Sequence, residues 1–427
     1  MSGVIGHTYS ICPVCGRQLP AERVREQGAV YLRRLCPEHG EFSAVVWREA
    51  EGAPEFAAWR GEGPELSGPQ PPCAACPGLC NEHQQGTCCV LYEVTGRCDL
   101  NCRFCFAEGG GGTDVPLEQA KAEIGLIYQM ARPLLQLSGG EPALRDDVPE
   151  LVAHAKACGA PYVQLNSNGL RLARDEAYVA ALAEAGLSFV FMQFDGTNDS
   201  ANVKLRGRAL LREKLRAVEN CAKHRIGVTL VPTLVPGVNT HDIGGLIKLA
   251  VSLVPAVRGI HFQPVSYFGR YPALPKDGQR FTLAELLAAI PRQTEGLISL
   301  DSIAPSHCDH PLCGFHASFI AEPDGRLTPL TQPQSCCCQS TAEQNRDYVG
   351  KRWQAPPLQD KTAPADGFEA FLRKAKERSF TVTGMAFQDA GNLDLERLRR
   401  CSLQVFQEGR FVPFCARYLT LFEREGN

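Results

Sequence analysis

The sequence predicts an α/β fold in which a parallel sheet is built from repeated strand and helix units. Three observations predict it. Between residue 90 and about residue 300, short apolar runs alternate with longer amphipathic ones, as βα units require. The chain has 427 residues, more than one hydrophobic core usually serves, so a central domain with smaller attachments is expected. The 20 cysteines fall in groups before, just inside and after the alternating stretch, as CPVC, CAAC, CxxxCxxC and CCC.

Residues 1–62 read as a zinc-ribbon or rubredoxin-like metal knuckle. CPVCG offers Cys12 and Cys15, AVYLRRL alternates like a strand, and CPEHG offers Cys36 and His39. Two turns with two soft ligands each match a closed tetrahedral site, for zinc or for a mononuclear iron. The plainer reading of His39 is a turn residue. A piece this small needs a metal as a staple.

Residues 63–89 form a cysteine segment behind a Gly- and Pro-rich linker. CAACPGLC supplies Cys73, Cys76 and Cys80, and Cys88 or Cys89 supplies a fourth thiolate, with His83 as a competitor. Four thiolates with bends between them suit a cubane cluster, and a second zinc site is the alternative.

Residues 90–300 carry strands at VLYEVTG, LLQLSG, YVQLNS, LSFVFMQFD, IGVTLVPTL and GIHFQPV. Helices fall at PLEQAKAEIGLIYQM, DVPELVAHAKAC, EAYVAALAEAG, NVKLRGRALLREKLRAVENCAKH, HDIGGLIKLAVSLV and LAELLAAI. Six such units make a partial (β/α)6 barrel of the TIM type, whose working residues belong at the strand C-termini. Cys158 and Cys221, each isolated in a helical pattern, read as buried apolar residues.

Residues 301–427 read as a C-terminal iron-sulfur extension with a substrate region. SHCDHPLC precedes a strand-like SFIAEPDGRLTPL, and a polar stretch from Gln339 to Asp366 reads as a loop. A short helix, NLDLERLRRC, leads into the hairpin SLQVFQEGRFVPFC.

The most informative motif is CDLNCRFC, with Cys98, Cys102 and Cys105 just past the first barrel strand. Gaps of three and two residues let one loop hold three corners of a [4Fe-4S] cube and leave one iron for a non-protein ligand. A zinc knuckle is the alternative. One strand later comes Gly139-Gly140-Glu141-Pro142, where paired glycines permit close backbone approach and Glu141 offers an acceptor for an ammonium group. The spacing of the cysteines, Phe104 before the last of them, and GGEP together resemble the radical S-adenosylmethionine (SAM) superfamily. The resemblance implies that SAM chelates the free iron and is reductively cleaved to a 5′-deoxyadenosyl radical, which abstracts hydrogen from a carbon centre.

Asn166, Ser167 and Asn168 at the third strand end, and Gln193 and Asp195 at the fourth, offer amide and carboxylate groups to SAM or substrate. Turn chemistry is the alternative at Asn168-Gly and Asp195-Gly. Val235 and Gly237 after the fifth strand and Gln263 in the sixth are candidates to wall the adenine.

The wider layout resembles the subgroup of tetraether lipid synthases and pterin methylases, and its bacterial TrsS-type branch of radical SAM (seleno)proteins. That resemblance implies one or two auxiliary [4Fe-4S] clusters. It makes Cys308, Cys313, Cys401 and Cys415 the ligands of one, with the run Cys336, Cys337 and Cys338 as the competing assignment or as redox-active thiols. The expected outcome is carbon–carbon bond formation, methylation, or sulfur or metalloid chemistry on a small molecule such as a pterin, a lipid or a peptide. The expected electron donor is a flavodoxin or ferredoxin.

The competing classes are a non-catalytic iron-sulfur electron carrier and a zinc-binding adaptor; neither requires GGEP or polar strand ends. A net charge of -3 gives no drive toward nucleic acid, and no run reaches the apolar length of a membrane helix. The grouped cysteines and a start without basic and apolar signal regions point to the cytoplasm.

Overall fold

The computed structural model describes residues 3–61, 83–107, 110–269, 273–306, 308–330, 341–356 and 367–422. It begins with an antiparallel sheet of β1 (Gly3–Ile11), β2 (Gln18–Glu26), β3 (Ala29–Cys36) and β4 (Gly40–Arg48), in that order. Pairing Ile11 with Gln18 and Cys36 with Gly40 places the two ligand-bearing turns at the same end of this ribbon. The sequence marked one strand here, AVYLRRL, which is most of β3. Arg23 explains the difference: in β2 it continues the buried positions of Leu19 and Ala21, so the apolar alternation breaks although the strand does not.

The barrel strands are β5 (Cys89–Thr95), β6 (Leu134–Gly139), β7 (Val163–Ser167), β8 (Phe189–Gln193), β9 (Gly227–Val231), the short β10 (Thr233–Leu234) and β11 (Val257–Pro264). Strands β5, β6, β7, β8, β9 and β11 pair in parallel in chain order, the expected arrangement of successive right-handed βα units. Val90, Leu135, Val163, Val190, Val228 and Ile260 are fully buried in one core, as strands covered on both faces demand. The predicted helix over residues 202–224 is two, Asp199–Arg206 and Leu211–Lys223. Gly207 ends the first with a left-handed φ of 81°.

The barrel stays open because its edges are taken by the C-terminal region. This consists of β12 (Ala304–Pro305), β13 (Gly314–Ala321), β14 (Leu327–Pro329), β15 (Ser379–Met385), β16 (Leu403–Gln407) and β17 (Arg410–Pro413). Strand β15 adds in parallel to β11 and carries β13 antiparallel outside it, while β16 adds in parallel to β5. Within the polar stretch read as a loop, Ala342–Trp353 is a helix. Thr341 and Gln344 close a capping box at its start, and Trp353 buries against Phe189.

The ribbon docks on this C-terminal region through buried charge. Arg23 bonds Asp394 at 2.7 Å and also pairs with Glu396, and Thr8 Oγ1 donates to Asp394 at 2.7 Å. Glu396 further accepts from Arg60 at 2.8 Å and His310 at 3.2 Å. Burial alone would push the Glu396 carboxyl up, but His310, Arg23 and Arg60 hold it well below the ordinary carboxylate range. Among the described residues, no helix is long and apolar enough to cross a membrane.

Candidate active site

The loop after β5 carries Cys98, Cys102 and Cys105, all half-buried. Its neck is closed by Thr95 Oγ1 on Asp114 at 2.5 Å and Arg97 on the same carboxylate at 2.7 Å. At that neck the backbones of Gly96 and Gly112 nearly touch: a Cβ on Gly96 would lie 2.7 Å from the Gly112 Cα. Arg103 N–H donates to the Leu205 carbonyl at 3.2 Å, and Leu100, Leu170 and Leu210 pack beside Cys98 and Cys102. The loop is thus tied to the barrel mouth at the strand C-termini.

The GGEP turn meets this loop directly. Gly140 N–H bonds the Thr95 carbonyl at 2.8 Å and Glu141 N–H the Arg97 carbonyl at 2.7 Å. A Cβ on Gly139 would stand 2.1 Å from the Thr95 oxygen, and one on Gly140 2.1 Å from that of Arg97. The paired glycines therefore make room for the stem of the cysteine loop, a nearer obstacle than any ligand.

Glu141 is buried and its carboxylate accepts from Ser167 Oγ at 2.7 Å, Asn168 N at 2.6 Å and Ala143 N at 3.1 Å. Burial pushes its carboxyl up to about 7 despite those bonds. Asn168 continues the network, its amide donating to Asp99 of the cysteine loop at 2.7 Å. The third strand end is thereby fastened to the loop at a residue between Cys98 and Cys102.

Asp195 is fully buried and already engaged. Arg206 grips it with two bonds of 2.8 and 3.0 Å, Thr233 N donates at 3.1 Å, and the Gln193 amide lies against it. Its direct role is to hold Arg206, which also bonds Thr233 Oγ1 at 3.2 Å and whose guanidinium acts electrostatically on Cys102. Lys214, buried on the helix Leu211–Lys223, reaches the Asn168 carbonyl at 3.1 Å and the Gln193 carbonyl at 2.6 Å. Burial lowers its ammonium to about 8. Arg206 and Lys214 went unnoticed in the sequence, since both lie in a stretch whose charges match a solvated helix face.

Phe104 and Val235 meet in one apolar group with Leu205, Val265 and Tyr267, and Phe104 packs edge-on to Tyr267 at 6.0 Å. Gly237, in a left-handed turn, and Gln263, opposite Thr233 with its N–H on the Pro232 carbonyl at 3.0 Å, stand at the ends of the fifth and sixth strands. Gly269 passes so close to the loop that a Cβ would be 2.2 Å from the Cys105 oxygen.

Two further thiol groups lie apart from this mouth. In the ribbon, the ligand atoms of Cys12, Cys15, Cys36 and His39 all fall within 4.8 Å of one another. That closeness suits a single tetrahedral ion. In the C-terminal region, Cys313 and Cys415 both act electrostatically on Cys401, and Gln388 N–H points at Cys415 Sγ at 3.3 Å. Cys308 packs with Cys88 and Cys89 in an adjoining group, and buried Asp309 acts on Cys88, Cys308, Cys313 and Cys401 alike. The residues Cys73, Cys76, Cys80, Cys336, Cys337 and Cys338 lie outside the described residues.

Fold and site together define an enzyme of the open parallel-barrel class with a three-thiol cluster loop at its mouth. The Radical SAM superfamily profile matches residues 92–250, and the profile of the HMPTM N-terminal zinc ribbon domain matches residues 4–48. The 7,8-dihydro-6-hydroxymethylpterin dimethyltransferase of Methanocaldococcus jannaschii is 31% identical over 479 aligned positions, 98% of this chain and 94% of that one. The Fe-coproporphyrin III synthase of Methanosarcina barkeri is 34% identical over 38% of this chain and 40% of its own. The solved structure of Streptococcus suis SuiB covers 49% of this chain and 46% of its own at 14% identity, with a TM-score of 0.41. The chain belongs to the radical SAM superfamily, and its cofactors are a [4Fe-4S] cluster and SAM.

Proposed function

We infer that the protein adds one-carbon units to a reduced pterin by radical SAM chemistry. The observation that carries this reading is its collinearity with the pterin dimethyltransferase, which runs through ribbon, barrel and C-terminal region rather than the barrel alone.

The residues at the mouth fit the cofactors. Cys98, Cys102 and Cys105 come from one closed-necked loop, and the Arg206 guanidinium supplies a positive charge that acts on Cys102, as a cluster thiolate favours. When bound there, the cluster and SAM supply a one-electron cleavage that yields a 5′-deoxyadenosyl radical. This chain's own residues bind and orient. Glu141 and Asn168 fix the third strand end against Asp99, and Gln193, held by Lys214, aligns the fourth. Phe104, Val235 and Tyr267 form an apolar wall that keeps water from a reactive centre. Gly237 and Gln263 supply the rim on which the nucleoside would rest.

The ribbon tetrad would hold zinc or a single iron. Cys313, Cys401 and Cys415, with Cys308 as the fourth thiol, would hold an auxiliary [4Fe-4S] cluster. Cys73, Cys76, Cys80 and Cys88 would hold a second. A flavodoxin or ferredoxin would deliver the electron, in a cytoplasm that keeps these thiols reduced.

The test is anaerobic turnover of reconstituted protein with dithionite, SAM and 7,8-dihydro-6-hydroxymethylpterin. The expected products are 5′-deoxyadenosine and a pterin heavier by one or two methyl groups. Release of 5′-deoxyadenosine at a rate indifferent to the pterin, with no heavier pterin formed, would reject this substrate while leaving the superfamily assignment intact.

A further inference from the structure

Two buried arginines act electrostatically on cysteine sulfur in this protein, and their own charges are compensated differently. At the barrel mouth, Arg206 acts on Cys102 through its charge and is neutralised by the two-point grip of Asp195. In the C-terminal region, Arg397 Nε points at Cys313 Sγ at 3.4 Å and its other end meets the Ala386 carbonyl. Arg397 is 7% exposed, and Cys313 and Cys415 are its principal electrostatic partners. Among the described residues no carboxylate bonds it. The nearby Asp394 and Glu396 are already taken up by Arg23, Arg60 and His310.

A buried guanidinium without a carboxylate is strongly disfavoured unless another anion stands beside it. Among the described residues its side chain bonds a sulfur and no carboxylate, with Asp394 acting on it only at longer range, so the cation is matched to thiolates bound to metal. Reduction adds one negative charge to a cluster, and a fixed positive charge in a dry setting stabilises that added charge far more than it would in water.

We propose that Arg397 raises the reduction potential of an auxiliary cluster held by Cys313, Cys401 and Cys415, and so acts as the positioning cation of a site that accepts and holds an electron. This rests on the auxiliary-cluster reading above. The cluster gains one electron from an external low-potential reductant, and no bond is made or broken. Asp195 denies the mouth cluster the same advantage from Arg206, so the two sites differ in how their arginines are compensated.

The experiment is an anaerobic redox titration of the reconstituted full chain, followed by electron paramagnetic resonance, with iron counted in every sample. In R397Q the auxiliary signal should titrate lower by at least a tenfold change in the one-electron equilibrium, about 59 mV. In R397K it should return most of the way. The signal that responds to added SAM should not move in either variant.

An unmoved auxiliary potential in R397Q, or an equal displacement of both signals, would overturn the proposal. So would loss of about four irons from both variants, since that makes Arg397 a packing residue. The underlying reading fails separately: a variant with Cys313, Cys401 and Cys415 all replaced by alanine that keeps as much iron as the parent would mean that these thiols hold no cluster at all.

Discussion

The ribbon tetrad and the barrel-mouth triad use the same soft donors for opposite ends. In the ribbon, four ligands from two turns of a rigid sheet converge within 4.8 Å, which leaves no coordination position over. At the mouth, three thiols come from one loop, and the surrounding bonds are spent on holding that loop to strand ends. A site that is closed contributes to stability, whereas one that is left a ligand short can bind a reactant. What separates them is what the donors and bonds converge on: one another in the ribbon, the loop's backbone and stem at the mouth.

The sharpest way to break that contrast is C102S, which should abolish 5′-deoxyadenosine formation while leaving the ribbon metal in place, as read by product chromatography and metal analysis. The converse variant, C36A, should lose the ribbon metal and expose residues 3–48 to proteolysis. SAM cleavage should fall far less than in C102S. If both variants lose cleavage equally, the two sites are not separable in this way.

A third test acts on the joint between the two regions. R23A leaves Asp394 and Glu396 buried without their shared cation, and breaking such a pair costs about 3–5 kcal/mol. Chemical denaturation should register it, and an undiminished midpoint would mean that the ribbon is held by other contacts. G140A is expected to be milder in stability but specific in effect: its Cβ would collide with the Arg97 carbonyl, so iron loading at the mouth should drop while ribbon metal stays.

The smallest effect is one of pH. Glu396 has a folded value below its ordinary one, so its contribution is full above about pH 4.3 and is lost as pH falls through the folded value. Trp59, whose indole bonds the Pro311 carbonyl at 3.1 Å, reports on this joint by fluorescence. The acid transition should flatten in E396Q, and an identical transition there would place the titrating group elsewhere.

The barrel strands were legible because burial on both faces leaves uninterrupted apolar runs. The cysteine loop and GGEP were legible because their spacing is local. What escaped depends on partners far along the chain. Arg23 looks like a solvent residue until Asp394 arrives, and Lys214 looks like one until the carbonyls of Asn168 and Gln193 surround it. The helix Ala342–Trp353 did carry a local sign, the Thr341 and Gln344 capping pair, but its polar composition outweighed it. Gly139 and Gly140 were noticed for a ligand, and the structure shows them clearing a path for the chain itself.

The pairing of β16 with β5 has a consequence for synthesis. Leu403 sits beside Cys89, so the strand that leads into the cysteine loop cannot be covered on that edge until the ribosome has made nearly everything between them. During translation this edge is a bare template for mispairing, and such long-range closure is slow. The cysteine loop thus grows from a strand that is among the first made and among the last completed, and cluster insertion before that closure would meet a half-built wall.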